Sequence, residues 1–334
     1  MLYDFVVRVP GIKAAFAVAA LGAVLALWPA GHAAAAEWAP SDKIVLVTHA
    51  SAGTSIDVFL RTVQDIWTKH KFMSYPVALE NMTGASGDKA RRYVAVQNRG
   101  NPHLLFGFTP QMMIVPIRMK SDITVGSFTP VALMVVEPTV MFVNADTPLK
   151  SVTDLIEAAR QKPRGILQGG GAFGGPPSLM GRMMADEAKV QIAYTPFKTS
   201  GESVIALLGR HVHFIMEQLS EADQHVKAGK LRVLATSVAL QKYPGLPTFQ
   251  SLGMKFRTLK QFRGIMAPPG IAPEAANYHI RMLDRTRATP EWKQYVSQYE
   301  VIEEWVVGKE FATFLRDEEE VYRRLMTELG LLNK

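Results

Sequence analysis

Cysteine is absent from the 334 residues of this sequence. Its absence excludes a disulfide framework, a cysteine-ligated zinc or iron–sulfur site, a thiol nucleophile and a lipid-anchored cysteine. The pattern Gly-x-Ser-x-Gly is absent too, which removes the nucleophile elbow of hydrolases. No stretch gathers five basic residues, so nucleic acid is not expected as a partner. These absences favour a binding protein over an enzyme that works by covalent catalysis.

The residues that are present describe a folded chain with a mild positive charge. Apolar residues make up 48% and charged residues 20% of the sequence, which is enough for a sizeable core. The length indicates about two domains. Lysine and arginine total 37 against 30 acidic residues, a net charge of +7. Such an excess suits small organic anions or anionic surfaces.

The first residues have the pattern of a secretory signal peptide. Arg8 and Lys13 precede an unbroken apolar run, Ala14–Trp28, and small residues in an A-x-A pattern then lead to Ala36. The apolar run is shorter than the roughly 20 residues that a spanning helix needs, which disfavours the alternative of an uncleaved membrane anchor. We therefore predict a signal peptide at residues 1–36 and an exported, periplasmic mature protein.

Strand and helix patterns alternate along the mature chain, which predicts the α/β class with mostly parallel sheets. The long apolar stretch Val131–Asn144, interrupted by Pro138, is predicted to cross between two lobes. Gln261–Ala267 is predicted to be the return crossing. The predicted first lobe is discontinuous, with residues 37–138 and 264–334, and the second lobe takes residues 139–263. Two lobes that share only crossing strands are expected to hinge.

A glycine-rich loop follows a short predicted strand at Ile166–Gln168. Residues 169–174 match G-x-G-x-x-G, which by itself suggests a dinucleotide site. Pro176 and Pro177 follow at once, and the next predicted strand, Val190–Thr195, ends without the acid that would hold a ribose. No cofactor is therefore predicted. The alternatives left open are an anion cradle of backbone N–H groups and a loop needed only for a tight turn.

His211 and His213 lie on a predicted strand, His211–Glu217, which would point both rings to one face. Such a pair is half of a metal site. No third ligand is apparent nearby, so we expect ordinary surface or packed histidines and no metal.

Several segments together resemble one family, the extracytoplasmic solute-binding proteins of tripartite tricarboxylate transporters, called the Bug family. The similarity covers nearly all of residues 44–334, and the motifs share the family's order and spacing. In chain order they are Ala52-Gly-Thr-Ser-Ile-Asp57, Glu80-Asn-Met-Thr-Gly-Ala-Ser-Gly87, Phe128-Thr-Pro-Val131, Leu149-Lys-Ser-Val-Thr-Asp-Leu155, Tyr194-Thr-Pro-Phe-Lys198, Ala228-Gly-Lys-Leu-Arg-Val-Leu-Ala235, Leu246-Pro-Thr248 and Ala267-Pro-Pro-Gly270.

The resemblance implies a two-lobed periplasmic-binding-protein fold of type II, with a ligand cleft between the lobes. It also implies a small carboxylate held largely by backbone amides: a mono-, di- or tricarboxylate, aromatic ones included. Carried over by position, the implied ligand-binding residues are Ser51, Ala52, Gly53, Thr54, Ser55, Asp57, Thr83, Gly84, Ala85, Ser86, Gly170, Gly171, Ala172, Phe173, Gly174, Lys198, Thr199 and Glu217. Asp57 would repel an anion, so we expect it to cap its helix, orient its loop or hold a bridging water.

Some residues near the implied cleft depart from the family pattern. His49 stands where a proline is usual, Thr54 and Thr199 where glycines are usual, Ser178 where a histidine is common, and His213 where an aspartate is common. The resemblance implies a monomeric receptor that passes its ligand to the membrane permease subunits of a tripartite transporter. The alternatives are an adaptor for a membrane sensor kinase and, less favoured, an exported enzyme on the same fold.

Overall fold

The computed structural model of the protein describes residues 38–171 and 173–332. The signal peptide predicted at residues 1–36 lies outside the described residues, and so does Ala172. Within the part of the chain that the structure describes, no helix is long and apolar enough to cross a membrane. Both sheets belong to one compact unit that begins at Ala39.

The first lobe is built on a six-stranded sheet with the strand order β11-β4-β10-β3-β1-β2. Its strands are β1 (Ile44–Thr48), β2 (Val77–Asn81), β3 (Leu104–Phe108), β4 (Thr129–Glu137), β10 (Gln261–Ala267) and β11 (Ile302–Val307). Its helices are α1 (Ser55–Lys69), α2 (Asp88–Arg92, continued by a π-helical turn at Tyr93–Gln97), α3 (Pro110–Met119), α8 (Pro273–Arg287), α9 (Pro290–Tyr299) and α10 (Gly308–Glu328).

The second lobe is built on a five-stranded sheet with the order β7-β6-β8-β5-β9. Its strands are β5 (Thr139–Asn144), β6 (Ile166–Gly170), β7 (Ile192–Pro196), β8 (Phe214–Gln218) and β9 (Leu231–Thr236). Its helices are α4 (Val152–Gln161), α5 (Pro176–Glu187), α6 (Ser200–Leu208) and α7 (Leu219–Lys227). Two described lobes with a cavity between them confirm the predicted fold class.

The sheets are mixed, whereas the sequence pattern predicts mostly parallel ones. β1 pairs in parallel with β2 and β3, and β6 pairs in parallel with β7 and β8. The crossing strands β4, β5 and β10 make only antiparallel pairs among the described strands. The physical reason is the path of the chain: it leaves the first lobe on β4 and returns on β10 in the opposite direction.

Local sequence signals explain where the elements begin. α1 buries its apolar residues at helical spacing, from Ile56 to Trp67, against the sheet. α4 begins with the predicted capping box: Ser151 Oγ accepts from the Asp154 N–H at 3.1 Å, and Asp154 Oδ2 accepts from the Ser151 N–H at 2.9 Å. Such caps satisfy N–H groups that have no partner within the helix.

The crossing between the lobes is short. A single residue, Pro138, separates β4 from β5, because proline cannot supply the N–H that would continue the strand pairing. The return strand β10 covers Gln261–Ala267, the range expected from the sequence. The predicted domain boundaries at 138/139 and 263/264 stay a prediction.

The predicted strand over His211–Glu217 is placed too early. The strand begins at Phe214, after a bend that contains both histidines. His213 Nδ1 accepts from the Leu167 N–H at 3.0 Å, so this ring pairs with β6.

Candidate functional site

A cavity of about 830 Å³ lies between the two lobes. It is walled by segments that follow the parallel strands β1, β2, β3, β6, β7 and β8, the edge at which open α/β sheets bind ligands. From the first lobe and the return strand, the cavity is lined by His49, Ala50, Ser51, Thr54, Ser55, Ile56, Thr83, Gly84, Ala85, Ser86, Gly87, Thr109, Pro110, Gln111, Arg118, Gln261 and Arg263. From the second lobe it is lined by Gly171, Phe173, Gly175, Pro176, Pro177, Tyr194, Pro196, Phe197, Lys198, Thr199, Ser200, Glu202, Glu217, Gln218 and Glu221.

The structure brings most of the sequence-predicted site residues to this cavity. Those that line it are Ser51, Thr54, Ser55, Thr83, Gly84, Ala85, Ser86, Gly171, Phe173, Lys198, Thr199 and Glu217. The predicted residues that belong to the same loops but do not line the cavity are Ala52, Gly53, Asp57, Gly170 and Gly174. Ala172 lies outside the described residues. Which of these residues touch a ligand stays a prediction.

The loop Thr83–Gly87 has an unusual backbone. φ is 132° at Gly84, 48° at Ala85, 53° at Ser86 and 92° at Gly87. Ala85 and Ser86 are not glycines, so each holds a left-handed conformation that costs roughly 1–3 kcal/mol. Backbone strain of this kind concentrates where a ligand or a reaction needs a particular geometry.

Close packing keeps this loop in place and leaves donors open. At Gly87 φ is 92°, and a Cβ there would lie 3.3 Å from the His49 Cβ atom and displace the end of the Met112 side chain, so a side chain at this position would be strained. The Gly87 N–H donates to the Gly84 carbonyl at 2.9 Å. The N–H groups of Ala85 and Ser86 have no acceptor among the described residues. Successive free N–H groups in a turn make anion-binding concavities, so this loop is a candidate for one.

The Asp57 side chain holds the neighbouring loop, residues 51–54, by a hydrogen bond to its backbone. Its Oδ2 atom accepts from the Gly53 N–H at 2.8 Å and from Arg61 Nε at 2.8 Å, and its Oδ1 atom accepts from Asn81 Nδ2 at 2.8 Å. Burial raises the pKa of Asp57, but hydrogen bonds from Arg61, Gly53 and Asn81 outweigh it and leave the pKa below its ordinary value. The structure thus shows the loop-orienting role, one of the three that we expect from the sequence.

The glycine-rich loop at residues 169–175 offers fewer donors than its composition suggests. α5 begins with Pro176 and Pro177, and proline has no N–H, so the first two donors of this helix are missing. The Gly174 N–H donates to Ser178 Oγ at 3.3 Å. The carbonyl of Gly171 accepts from the Tyr194 hydroxyl at 2.8 Å. This loop therefore shapes the cavity more than it provides an anion cradle.

The interior of the cavity is acidic. Glu217 is 2% exposed, and its Oε1 atom has no hydrogen-bond partner among the described residues. Burial and the negative charge of Glu221 raise the pKa of Glu217 to about 8. Hydrogen bonds from the Ser200 side chain and the Gly171 backbone, and the positive charge of Arg263, oppose this increase.

Glu221, at the start of α7, reaches across the cavity. Its Oε1 atom accepts from the Ser55 N–H at 2.9 Å, so a carboxylate of the second lobe occupies the amino terminus of α1 in the first. Burial raises the pKa of Glu221 to about 7; the Ser55 N–H opposes this, and the charge of Glu137 adds to it.

A buried ion pair joins the two crossing strands behind the cavity. Arg263 on β10 and Glu137 on β4 are each 3% exposed, and Arg263 Nη2 donates to Glu137 Oε2 and to Ser55 Oγ. The Tyr295 hydroxyl also donates to Glu137, at 3.4 Å. A guanidinium that is already paired in this way contributes little net positive charge to the cavity.

Sequence reasoning missed Arg263, Glu137, Gln218 and Glu221. One signal was available: a charged residue stands inside each of two apolar runs, Glu137 at the end of β4 and Arg263 within β10. Opposite charges in two predicted crossing strands indicate a buried pair. Glu221 carried no such signal, because an acid in the first turn of a helix is ordinary.

The cavity also contains a neutral histidine, one of the departures from the family pattern. Burial, together with the charges of Arg263 and Arg91, lowers the pKa of His49 to about 3. The His49 Nδ1 atom has no partner among the described residues. In the same residues no group of three or more histidine, aspartate and glutamate side chains is arranged to hold a metal ion.

The comparisons with known proteins agree with this architecture and with the resemblance found in the sequence. Residues 59–331 match the model of the tripartite tricarboxylate transporter family receptor. The UPF0065 protein of the gbd 5′ region of Cupriavidus necator is 27% identical over 325 residues, which cover 95% of both chains. The solved periplasmic binding protein BugD is 20% identical, with a TM-score of 0.81 over 88% of this chain and 100% of its own.

A solved structure with a bound ligand has the same fold. It is that of Rpa4515 from R. palustris with adipate, 22% identical with a TM-score of 0.80, covering 87% of this chain and 98% of its own. Since the family model spans most of the sequence, the chain belongs to the family of tripartite tricarboxylate transporter receptors.

Proposed function

We propose that the protein binds a small organic carboxylate in the cavity between its lobes and delivers it to the membrane subunits of a tripartite transporter. The observation that carries this proposal is the strained loop Thr83–Gly87, which lines the cavity and has two N–H groups, those of Ala85 and Ser86, without an acceptor among the described residues. Such N–H groups suit an anionic ligand. A volume of about 830 Å³ is ample for a small carboxylate. Adipate in the related Rpa4515 structure supports the same ligand class.

The energetics allow such binding without a free cation in the cleft. Micromolar affinity requires about −8 kcal/mol. Each charge-assisted hydrogen bond contributes ~1.5–3 kcal/mol, so the free N–H groups of Ala85 and Ser86 supply about 3–6 kcal/mol. Hydroxyl donors of the lining, such as those of Thr83 and Ser86, can supply the rest after the costs of association. Arg118 and Lys198 stand at exposed positions of the lining, where they would attract anions at long range.

Export belongs to the same proposal. A receptor for a tripartite transporter acts outside the cytoplasmic membrane, and the signal peptide predicted at residues 1–36 would take it there. We expect periplasmic protein to begin within a few residues of Glu37, which amino-terminal sequencing of a periplasmic extract checks. An intact Met1 in that fraction would contradict export by cleavage.

A thermal-shift screen of the protein that starts at Glu37 tests ligand binding. The screen covers mono-, di-, tri- and aromatic carboxylates. A ligand at about 100 times its Kd stabilises the folded state by about 2.7 kcal/mol. No shift with any carboxylate would contradict the proposal, and chemical conversion of the bound ligand would favour an enzyme instead.

Two glycine variants locate the site. Gly84→Leu adds a side chain at a residue that lines the cavity. Gly53→Leu is the comparison, because Gly53 is absent from the lining and a Cβ there meets no atom within 4 Å. Both glycines have positive φ, 132° and 82°, so both variants carry backbone strain. We expect Gly84→Leu to lose the ligand-induced shift and Gly53→Leu to keep it. Equal shifts in both variants would place the site elsewhere.

A further inference from the structure

The interior end of the cavity holds more carboxyl groups than cations. Glu217 and Glu221 line it, and Glu137 lies behind it. The buried cation that faces them is Arg263, which Glu137 already pairs. Tyr194, which lies beside Glu217, and His49, which also lines the cavity, are not positive at neutral pH. Burial without a matching cation is costly for a carboxylate.

The two helix starts at this end of the cavity offer a ligand no free N–H group. The Ser55 N–H, in the first turn of α1, donates to Glu221. Pro176 and Pro177 remove the first N–H groups of α5. A second carboxylate of a ligand would therefore find no helix N–H group here and would be repelled by Glu217 and Glu221 whenever these are ionised. The unpartnered side-chain donors of the lining, Gln218 Nε2 and Arg263 Nε, offset this repulsion only in part, because one is neutral and the other belongs to a guanidinium that Glu137 already pairs. The free donors of the loop Thr83–Gly87 remain available for a first carboxylate.

Glu217 instead offers an acceptor. Its side chain is 2% exposed, it lines the cavity, and its Oε1 atom has no partner among the described residues. A buried carboxylate oxygen without a donor is costly, and a ligand that brings a donor removes this cost. A positively charged donor would also restore the charge balance of the interior.

We propose that the cleft binds a carboxylate whose far end is a nitrogen hydrogen-bond donor rather than a second carboxylate, and that Glu217 accepts that donor. This inference rests on the proposed function, because it requires that a carboxylate binds in the cleft. Both an ammonium group and a carboxamide have the required chemistry.

Three ligands of equal chain length test the inference by titration calorimetry on the protein that starts at Glu37: adipate, adipamate and ω-aminohexanoate. They differ only in the far end, which is a carboxylate, an amide or an ammonium group. A hydrogen bond to a charged group is strong enough for about a tenfold or greater preference. We expect ω-aminohexanoate and adipamate to bind at least about tenfold more tightly than adipate. The corresponding succinate, succinamate and ω-aminobutanoate series covers a shorter ligand.

Glu217→Gln assigns the preference to this residue. The variant keeps the size of the side chain and removes its charge, so the preference of ω-aminohexanoate over adipate should fall about tenfold. Glu202→Gln is the matched control: Glu202 lines the same cavity but is exposed. Water and salt screen its charge, so the ratio of the two affinities should stay nearly constant.

The outcomes separate this inference from the proposed function. The inference is overturned if adipate binds as tightly as both nitrogen ligands. It is also overturned if other carboxylates bind to the protein but no ligand of the adipate or succinate series does. Adipate affinity that falls as the pH rises through about 8 would make Glu217 a proton donor to a second carboxylate, which also overturns it. An unchanged preference in Glu217→Gln overturns the assignment to Glu217. Failure of every carboxylate contradicts the proposed function itself.

Discussion

Arg263 and Glu137 show how single residues hold the crossing region together. Each lies on a strand that passes between the lobes, and each is almost completely buried. In the antiparallel register, Gln261 faces Glu137 and Arg263 faces Val135, so the charged side chains are diagonal neighbours. A buried pair of this kind adds little stability compared with apolar residues, but its removal from one side leaves a charge without a partner.

Arg263→Met should destabilise the protein by about 3–5 kcal/mol, because Glu137 would lose the cation that balances its buried charge. Urea unfolding measures this as a lower free energy of unfolding. The double variant Arg263→Met with Glu137→Gln should recover much of the loss, since no unpaired charge remains. Arg323→Met, which removes the surface pair with Glu319, is the control and should cost less than about 1 kcal/mol. A loss as small as that in Arg263→Met would contradict a structural role for the pair.

Glu217 should make the free energy of unfolding depend on pH. Burial raises its pKa from 4.5 to about 8, so between these values the folded state keeps a proton that the unfolded chain releases. Its contribution is therefore complete below about pH 4.5 and is lost as the pH rises toward about 8. Each pKa unit corresponds to about 1.4 kcal/mol of this contribution.

Urea unfolding near pH 6 and near pH 8.5 tests this dependence. Glutamine at position 217 cannot ionise. Between pH 6 and pH 8.5 the free energy of unfolding of Glu217→Gln should therefore fall less than that of the unaltered protein, and the difference between the two decreases should be at least about 1 kcal/mol. The buried histidines His49 and His279 also titrate with depressed pKa values, but they are present in both proteins and cancel in the difference. Parallel pH dependence in the two proteins would show that Glu217 does not hold the extra proton.

At the scale of elements, the local signals of the sequence predict much of the fold. β1, α1, α4 and β10 follow from apolar periodicity and capping residues. α3 is not predicted, because Pro116 lies inside the helix and obscures its pattern. The loops of the cavity follow from glycine clusters and family resemblance. The pairing of Arg263 with Glu137 across 126 residues does not follow, because it depends on the register of two distant strands.

The amino terminus of α5 offers a way to add a ligand contact. Pro177 lines the cavity in the first turn of α5, so Pro177→Ala introduces an N–H that the helix does not bond internally. We expect the carboxylate that binds tightest in the screen to bind Pro177→Ala severalfold more tightly, because a charge-assisted hydrogen bond contributes ~1.5–3 kcal/mol before desolvation costs. Titration calorimetry measures the change.

Pro290→Ala is the control for this variant. Pro290 begins α9 and does not line the cavity, so it reports the effect of removing a helix-initiating proline. Both variants should lose up to about 1 kcal/mol of stability through the greater freedom of the unfolded chain. Equal affinities in the two variants would mean that the added N–H does not reach the ligand.

At the scale of the whole molecule, the lobes meet through the crossing strands and through contacts across the cavity. Pro138 is the single residue between β4 and β5. Across the cavity, the Ser55 N–H donates to Glu221 at 2.9 Å, and Arg118 donates to the Phe173 carbonyl. The N–H groups of Gln241 and Lys242 in the second lobe also donate to Glu300 in the first. A hinge motion about the crossing strands therefore has to open these contacts as well. A ligand that touches both lobes shifts the population toward the closed form.

Glu221 should therefore hold the ligand-free protein partly closed. Glu221→Ala removes the cross-cavity hydrogen bond to Ser55, and a loss of ~1.5–3 kcal/mol would shift the equilibrium toward the open form about tenfold or more. Small-angle X-ray scattering should give a larger radius of gyration for ligand-free Glu221→Ala than for the unaltered protein. A saturating ligand should reduce the radius of gyration in both proteins. The reduction should be larger in the variant, because a larger fraction of its molecules is open before ligand is added.

Glu202→Ala provides the matched comparison for this measurement. Glu202 is also a cavity-lining carboxylate of the second lobe, but it accepts from the Lys198 N–H at 3.1 Å within its own lobe. Its removal also takes one carboxyl group from the cavity lining but breaks no hydrogen bond between lobes, so the radius of gyration should stay that of the unaltered protein. Identical scattering from all three proteins, with and without ligand, would mean that the lobes do not hinge. In that case the ligand would have to enter a cleft that keeps one shape.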